Sequence, residues 1–204
     1  MTYNDGDRTT ARLTHPTVAT PACGWPLLVF VHGLGADRRE APSVRKGLAS
    51  RGYAVWSYDV RGQGSMRTLN TSGRDLTFYG AREKVDMAEQ MLIARRLYPA
   101  LVSRDRAAVV GASQGGVHAW AAAAFAGKTV TEPGRPPVLM PMVDAAVARH
   151  IVADPIDYRL PGSTQFGYGL IGFVADPPAT AFVADTAFRA QVRTAFLAGD
   201  AGGL

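Results

Sequence analysis

The sequence predicts an α/β protein, a three-layer α/β/α sandwich around a mostly parallel sheet. Three observations carry this. Short, continuously apolar runs alternate with longer helical stretches, as in βαβ units. Each run ends at glycine or a polar turn, and the connections between runs are long enough for right-handed helical crossovers. The 204 residues, 47% of them hydrophobic, supply one compact domain with a sizeable core.

Leu27 to Val31, bounded by Pro26 and Gly33, reads as a strand buried on both faces. A helix is expected from about Arg39 to Ser50, closed by Gly52, and then a strand from Tyr53 to Val60 rich in aromatic and β-branched residues. That strand ends in the turn Arg61-Gly62-Gln63-Gly64. A loop with Asn70, Ser72 and Gly73 leads to a long helix from about Ala81 to Tyr98, with Val85, Ala88, Met91 and Leu92 on one face and Pro99 as its stop. Ala107 to Ala112 is a third apolar strand, followed by an alanine-rich helix over about Gln114 to Ala126. Glu132 to Pro141 reads as a loop and Val143 to Val152 as a fourth strand. Beyond Asp154 the prolines and glycines predict an irregular excursion, with a further helix over Thr180 to Leu197. Residues 1–152 are therefore expected to form the core, and 153–204 a lid or cap, or the start of further core.

Composition narrows the functional classes. The formal charge of +5 comes mostly from arginine, in pairs such as Arg38-Arg39 and Arg95-Arg96 interleaved with acids. No nucleic-acid-binding motif accompanies them, so solvated faces are the expectation and nucleic acid is not. No apolar run is long enough to cross a membrane, and the first residues lack a signal-peptide core, which makes the cytoplasm the default compartment. One cysteine, Cys23, and no paired-histidine helix leave neither an internal disulfide nor a metal site in view. Gly33-x-Gly35 is followed by Arg38 where a dinucleotide fingerprint needs its third glycine, and there is no Walker-type Gly-Lys-Ser/Thr. No cofactor is expected.

The stretch that carries chemistry is Gly111-Ala112-Ser113-Gln114-Gly115-Gly116, between an apolar strand and a helix. A serine at a sharp strand-to-helix turn projects its hydroxyl clear of the sheet, and glycines two residues to either side avoid collisions in that turn. The helix that follows turns its amide ends and positive dipole toward the serine, which suits a developing oxyanion. Ser113 is the expected nucleophile and the Gln114 N–H one oxyanion donor. A second donor should come from a glycine-rich loop nearby, and the Leu34 N–H in His32-Gly33-Leu34-Gly35 is the candidate. His32 is expected to hold that loop, not to act as a base, and Asp59 and Arg61 to brace the turn after their strand.

With these residues in view the chain resembles the α/β-hydrolase superfamily from about Pro26 to Val152. Arg61-Gly62-Gln63 with Gly111-Ala112-Ser113-Gln114-Gly115 is also similar to the acetyl esterases that deacetylate xylan and cephalosporins, and related patterns occur in prolyl-oligopeptidase-like branches. The resemblance implies a serine hydrolase acting on a small-molecule ester or a peptide, with nucleophile, acid and histidine in that chain order. Here no histidine follows His150, and the strands that would carry acid and base are not visible. Three readings follow: a piece of a longer hydrolase ending before its last strands, a triad built from Asp154 as acid with His150 nearby, or a non-catalytic relative that binds. The first is preferred, because a sheet ending there would leave an open edge. His118, on the helix after Ser113, is expected to point away from it. Asp144 and Asp157 are expected to be solvated loop residues. Oligomeric state is left open.

Overall fold

The computed structural model describes residues 1–33, 35–66, 81–112, 114–132 and 134–149. Among these, strands β1 (Ala11–Thr14), β2 (Trp25–Val31), β3 (Ala54–Tyr58), β4 (Val102–Ala112) and β7 (Ala145–Arg149) form one sheet in the order β1-β3-β2-β4-β7. β2 runs parallel to β3 and β4, β4 parallel to β7, and only β1 is antiparallel, on β3. Helices α1 (Pro42–Ala49), α2 (Ala81–Leu97) and α3 (Gln114–Phe125) connect them.

Alternation along β2 creates the layers. Leu27, Val29 and Val31 face a large core with Trp56, Tyr58, Val109 and residues of α2 and α3. Leu28 and Phe30 face the other side, with Val55, Ala49 and the partly buried Leu48. A strand covered on both faces has no reason to alternate polar with apolar, which is why this one reads as a continuous apolar run. Each such side chain taken out of water contributes roughly 1.5–3 kcal/mol. Trp56 also ties β3 to α2, donating from Nε1 to Gln90 Oε1 at 2.9 Å and meeting the Tyr98 ring edge-on at 6.0 Å.

Several boundaries move. β4 begins at Val102, ahead of the expected Ala107, because Arg104, Asp105 and Arg106 interrupt the apolar pattern without interrupting the strand. The expected loop at Glu132 to Pro141 contains β6 (Val138–Leu139), which pairs with β5 (Thr129–Val130) in a small separate hairpin. Leu92 does not share the buried face of α2. It is exposed, while Met87, Ile93 and Ala94 are buried beside Val85, Ala88 and Met91. The polar opening of the chain is also structured: β1 pairs with β3, and Tyr3, Asp7 and Thr9 are buried. Residues 150–152 of the expected fourth strand, the loop of Asn70 to Gly73, and the expected cap at 153–204 with Asp157 lie outside the described residues. No helix among the described residues is long and apolar enough to cross a membrane.

Candidate active site

In an open parallel sheet, ligands bind beyond the carboxyl ends of the strands where the strand order reverses. Here β3 lies on one side of β2 and β4 on the other, so the reversal falls at β2. Its carboxyl end carries His32 and Gly33, and the carboxyl end of β4 carries Gly111 and Ala112.

Space, and not a left-handed backbone, explains the two glycines of the strand-to-helix turn. A Cβ on Gly111 would stand 1.8 Å from the carbonyl oxygen of Gly115 and 2.6 Å from the Gly116 nitrogen. A Cβ on Gly115 would stand 2.2 Å from the Val31 oxygen and 2.8 Å from the His32 oxygen. These neighbours are backbone atoms and cannot swing aside. The reversal from β4 into α3 is therefore tight, and the amino end of α3 rests directly on the end of β2. Gln114 is the first residue of α3, so its N–H belongs to the opening turn, where amides have no acceptor within the helix. Ser113 separates Ala112 from Gln114 in sequence and, like Leu34, Asp154 and His150, lies outside the described residues.

The loop after β2 is held from several directions. His32 is buried, and its Nε2 accepts the Val60 N–H at 3.0 Å. Nδ1 therefore carries the proton and donates to the Gly33 oxygen at 2.8 Å. Both ring nitrogens are committed, so His32 is a structural link between the ends of β2 and β3, as expected. The Gly33 N–H donates to Glu40 Oε2 at 2.7 Å, and the Gly35 N–H to Gln63 Oε1 at 2.6 Å. Gly35 has φ +79°, a left-handed conformation that glycine adopts without strain.

Asp59, fully buried at the end of β3, joins the two loops. It accepts the Arg38 N–H and Nη1, each at 2.7 Å, together with the Ser65 N–H, the Ser65 hydroxyl and the Thr10 hydroxyl. Burial alone pushes this carboxyl up, but the bonds from Ser65, Arg38 and Thr10 outweigh it and hold the pKa below the usual carboxylate value. A Cβ on Gly64 would lie 2.5 Å from the Asp59 carboxyl carbon, so the turn closes on this group. Asp59 is thus the expected brace. Arg61 reaches away from the turn instead, to Asp5, Asp7 and Asp86.

The direction of His118 relative to Ser113 lies outside the described residues, and Asp144, expected to be solvated, is exposed but also bonds the backbone. His118 is buried with neither ring nitrogen hydrogen-bonded, and burial together with nearby His32 lowers its pKa to about 3, so it stays neutral. Asp144 accepts the Ala107 N–H at 2.9 Å and braces the start of β7, at the end of the sheet opposite the turn. Glu40 has no signal in the sequence that sets it apart, and Arg38 and Thr10 are equally inconspicuous. Gln63 lies within a glycine-flanked motif, but its partner is visible only in the fold. No cluster of His, Cys, Asp and Glu able to hold a metal occurs among the described residues.

Comparison with known proteins agrees with this architecture. An acetyl xylan esterase from Paenibacillus sp. R4 is similar over 96% of this chain and 60% of its own, at 21% identity and a TM-score of 0.52. The structure of DcsB in complex with its substrate analogue is similar over 84% of this chain and 50% of its own, at 18% identity and a TM-score of 0.53. An esterase from Thermogutta terrifontis is similar over 69% of this chain and 48% of its own, at 19% identity and a TM-score of 0.45. This chain spans 60% or less of the length of each. A search of curated proteins returned no match. The model of the Alpha/beta hydrolase family matches residues 28–203. With β2, β3, β4 and β7 in parallel and a strand-to-helix turn that admits only glycine at two positions, the chain belongs to the alpha/beta hydrolase family.

Proposed function

We propose that the protein is a serine hydrolase that cleaves a carboxylic ester through an acyl-enzyme on Ser113. The observation that carries this reading is the absence of room for a Cβ at Gly111 and Gly115, which brings the opening turn of α3 against the end of β2. A hydroxyl between them would meet the amide end of a helix, the environment that favours a developing oxyanion.

In the proposed reaction the Ser113 oxygen bonds to the ester carbonyl carbon as a base takes its proton. The carbonyl electron pair moves onto oxygen and is met by the N–H groups of Gln114 and Leu34. Collapse expels the alkoxide, which leaves as the alcohol with that proton, and water then releases the acid. Leu34 is the proposed second donor because the amides on either side of it, Gly33 and Gly35, already have acceptors within the protein. Asp154 is the proposed acid, and residues 153–204 are proposed as a cap or as further core. The same machinery acting on an amide would be a peptidase.

A non-catalytic, binding relative is the second reading. It is favoured by the state of the two buried histidines, His32 with both nitrogens bonded and His118 neutral. Intact mass before and after a fluorophosphonate probe separates the readings. The expected result is one adduct, formed as the Ser113 oxygen bonds to phosphorus and fluoride leaves, and its complete loss in Ser113→Ala. A folded sample that gains no adduct overturns the acyl-enzyme reading in favour of binding.

A further inference from the structure

We infer that Gln63 and Glu40 are positioning residues that present the amide between Gly33 and Gly35 to the oxyanion. This rests on the reading of Leu34 as a donor. Both described amides that flank position 34 are held by side chains, Gly33 by Glu40 Oε2 at 2.7 Å and Gly35 by Gln63 Oε1 at 2.6 Å. The grip comes from two sides. Glu40 belongs to the far end of the same loop. Gln63 is fully buried in the turn after β3, 28 residues away in sequence, and is itself fixed by Gln63 N–H to Val60 O at 3.0 Å and Met66 N–H to Gln63 O at 3.1 Å.

The need for such a grip follows from the loop's own composition. Locally the loop is held at the Gly33 carbonyl, which accepts the Ala36 N–H at 3.2 Å and the His32 Nδ1 proton at 2.8 Å. Gly35 at φ +79° sits in a well that glycine leaves easily, so the peptide on its side gains from a long-range anchor. A donor amide stabilises an oxyanion only while aimed at it, and an error of about 1 Å in such a group costs on the order of a hundredfold in rate. With both flanking amides spent on side chains, the loop turns neither of them into the site. His32 to Val60 and Asp59 to Arg38 fasten the same two loops further out. Gln63 and Glu40 are the side chains that accept the N–H groups of the two residues next to position 34.

Gln63→Met keeps the length of the side chain and removes the acceptor. On p-nitrophenyl acetate we expect kcat to fall about 10- to 100-fold with KM within about twofold of wild type, and fluorophosphonate labelling to slow in parallel. The Gly35 amide should lose its protection from hydrogen exchange while amides of β2 and β4 keep theirs. Glu40→Met should act in the same direction on Gly33, and Glu40→Gln, which retains an acceptor oxygen, should recover most of that loss. Unchanged Gly35 protection in Gln63→Met, or lost protection with unchanged kcat, overturns the inference. A parallel loss of kcat, KM and core protection also overturns it, since that marks a merely structural residue. A wild-type protein that gains no fluorophosphonate adduct overturns the acyl-enzyme reading itself, and the positioning role with it.

Discussion

Two buried charged clusters flank β3, and they handle the cost of burial in opposite ways. At its carboxyl end Asp59 stands with one guanidinium, that of Arg38, and takes its remaining bonds from two backbone amides and two hydroxyls. Beneath α2, Arg61 and Arg135 lie among Asp5, Asp7, Asp86, Glu89 and Glu132, with the Tyr3 ring 4.8 and 5.7 Å from the two guanidinium carbons. Burial raises both Asp59 and Glu89. Hydrogen bonds reverse the sign at Asp59, whereas Arg135 and the Asn4 amide do not overcome burial and nearby Asp86 at Glu89. Two backbone amides, two hydroxyls and a guanidinium converge on Asp59 and outweigh its burial, whereas the Asn4 amide and Arg135 leave burial dominant at Glu89. The first cluster shapes the loops of the candidate site. The second fastens the start of the chain to α2 and the 132–135 turn.

The sharpest way to break this comparison is to remove the shared cation. Arg61→Met leaves Asp5, Asp7 and Asp86 buried with one partner fewer, and should cost about 3–5 kcal/mol in urea unfolding. Asp59→Asn should cost less, about 2 kcal/mol by the same measurement. An amide NH2 in place of one carboxylate oxygen would face donors already pointing at it.

The pH dependence of melting separates the clusters by sign. Asp59 has its folded pKa below the unfolded value of about 3.9, so its stabilisation is complete above that value and is lost as pH falls through the folded one. Glu89 is raised, so its folded state holds a proton longer and stability declines as pH rises from the unfolded value through the folded one. Asp59→Asn should flatten the acid limb of the Tm profile, and Glu89→Gln should remove the decline above it. The smallest effect belongs outside both clusters. His118→Leu removes two unbonded buried nitrogens and should leave stability within about 1 kcal/mol of wild type. A larger loss on thermal unfolding would mean that the imidazole has a partner.

How much could be read without the fold varies with the range of the interaction. β2 and α2 are each set by a contiguous pattern, and their expected bounds lie close to the observed Trp25–Val31 and Ala81–Leu97. The glycine spacing of the strand-to-helix turn was equally legible, because the collision it avoids, Gly111 against Gly115 and Gly116, is local. β1 and the β5–β6 hairpin were not, since four- and two-residue strands carry too little pattern, and pairing with a distant partner makes them strands. The charged triplet Arg104-Asp105-Arg106 concealed the start of β4 in the same way.

The sequence by itself therefore determined the α/β alternation, the continuous apolar strands and the two glycines around Ser113, all of which rest on contacts within a few residues. Only the tertiary structure decided that Gly115 is needed against Val31 and His32, and that His32 spends both nitrogens on the backbone. It alone set Gln63 and Glu40 on the amides either side of position 34 and turned Arg61 toward the start of the chain. Most of these contacts join residues far apart in the chain, and even Glu40 meets Gly33 only through the shape of a folded loop. A hydrogen bond of that kind leaves no periodicity in the sequence.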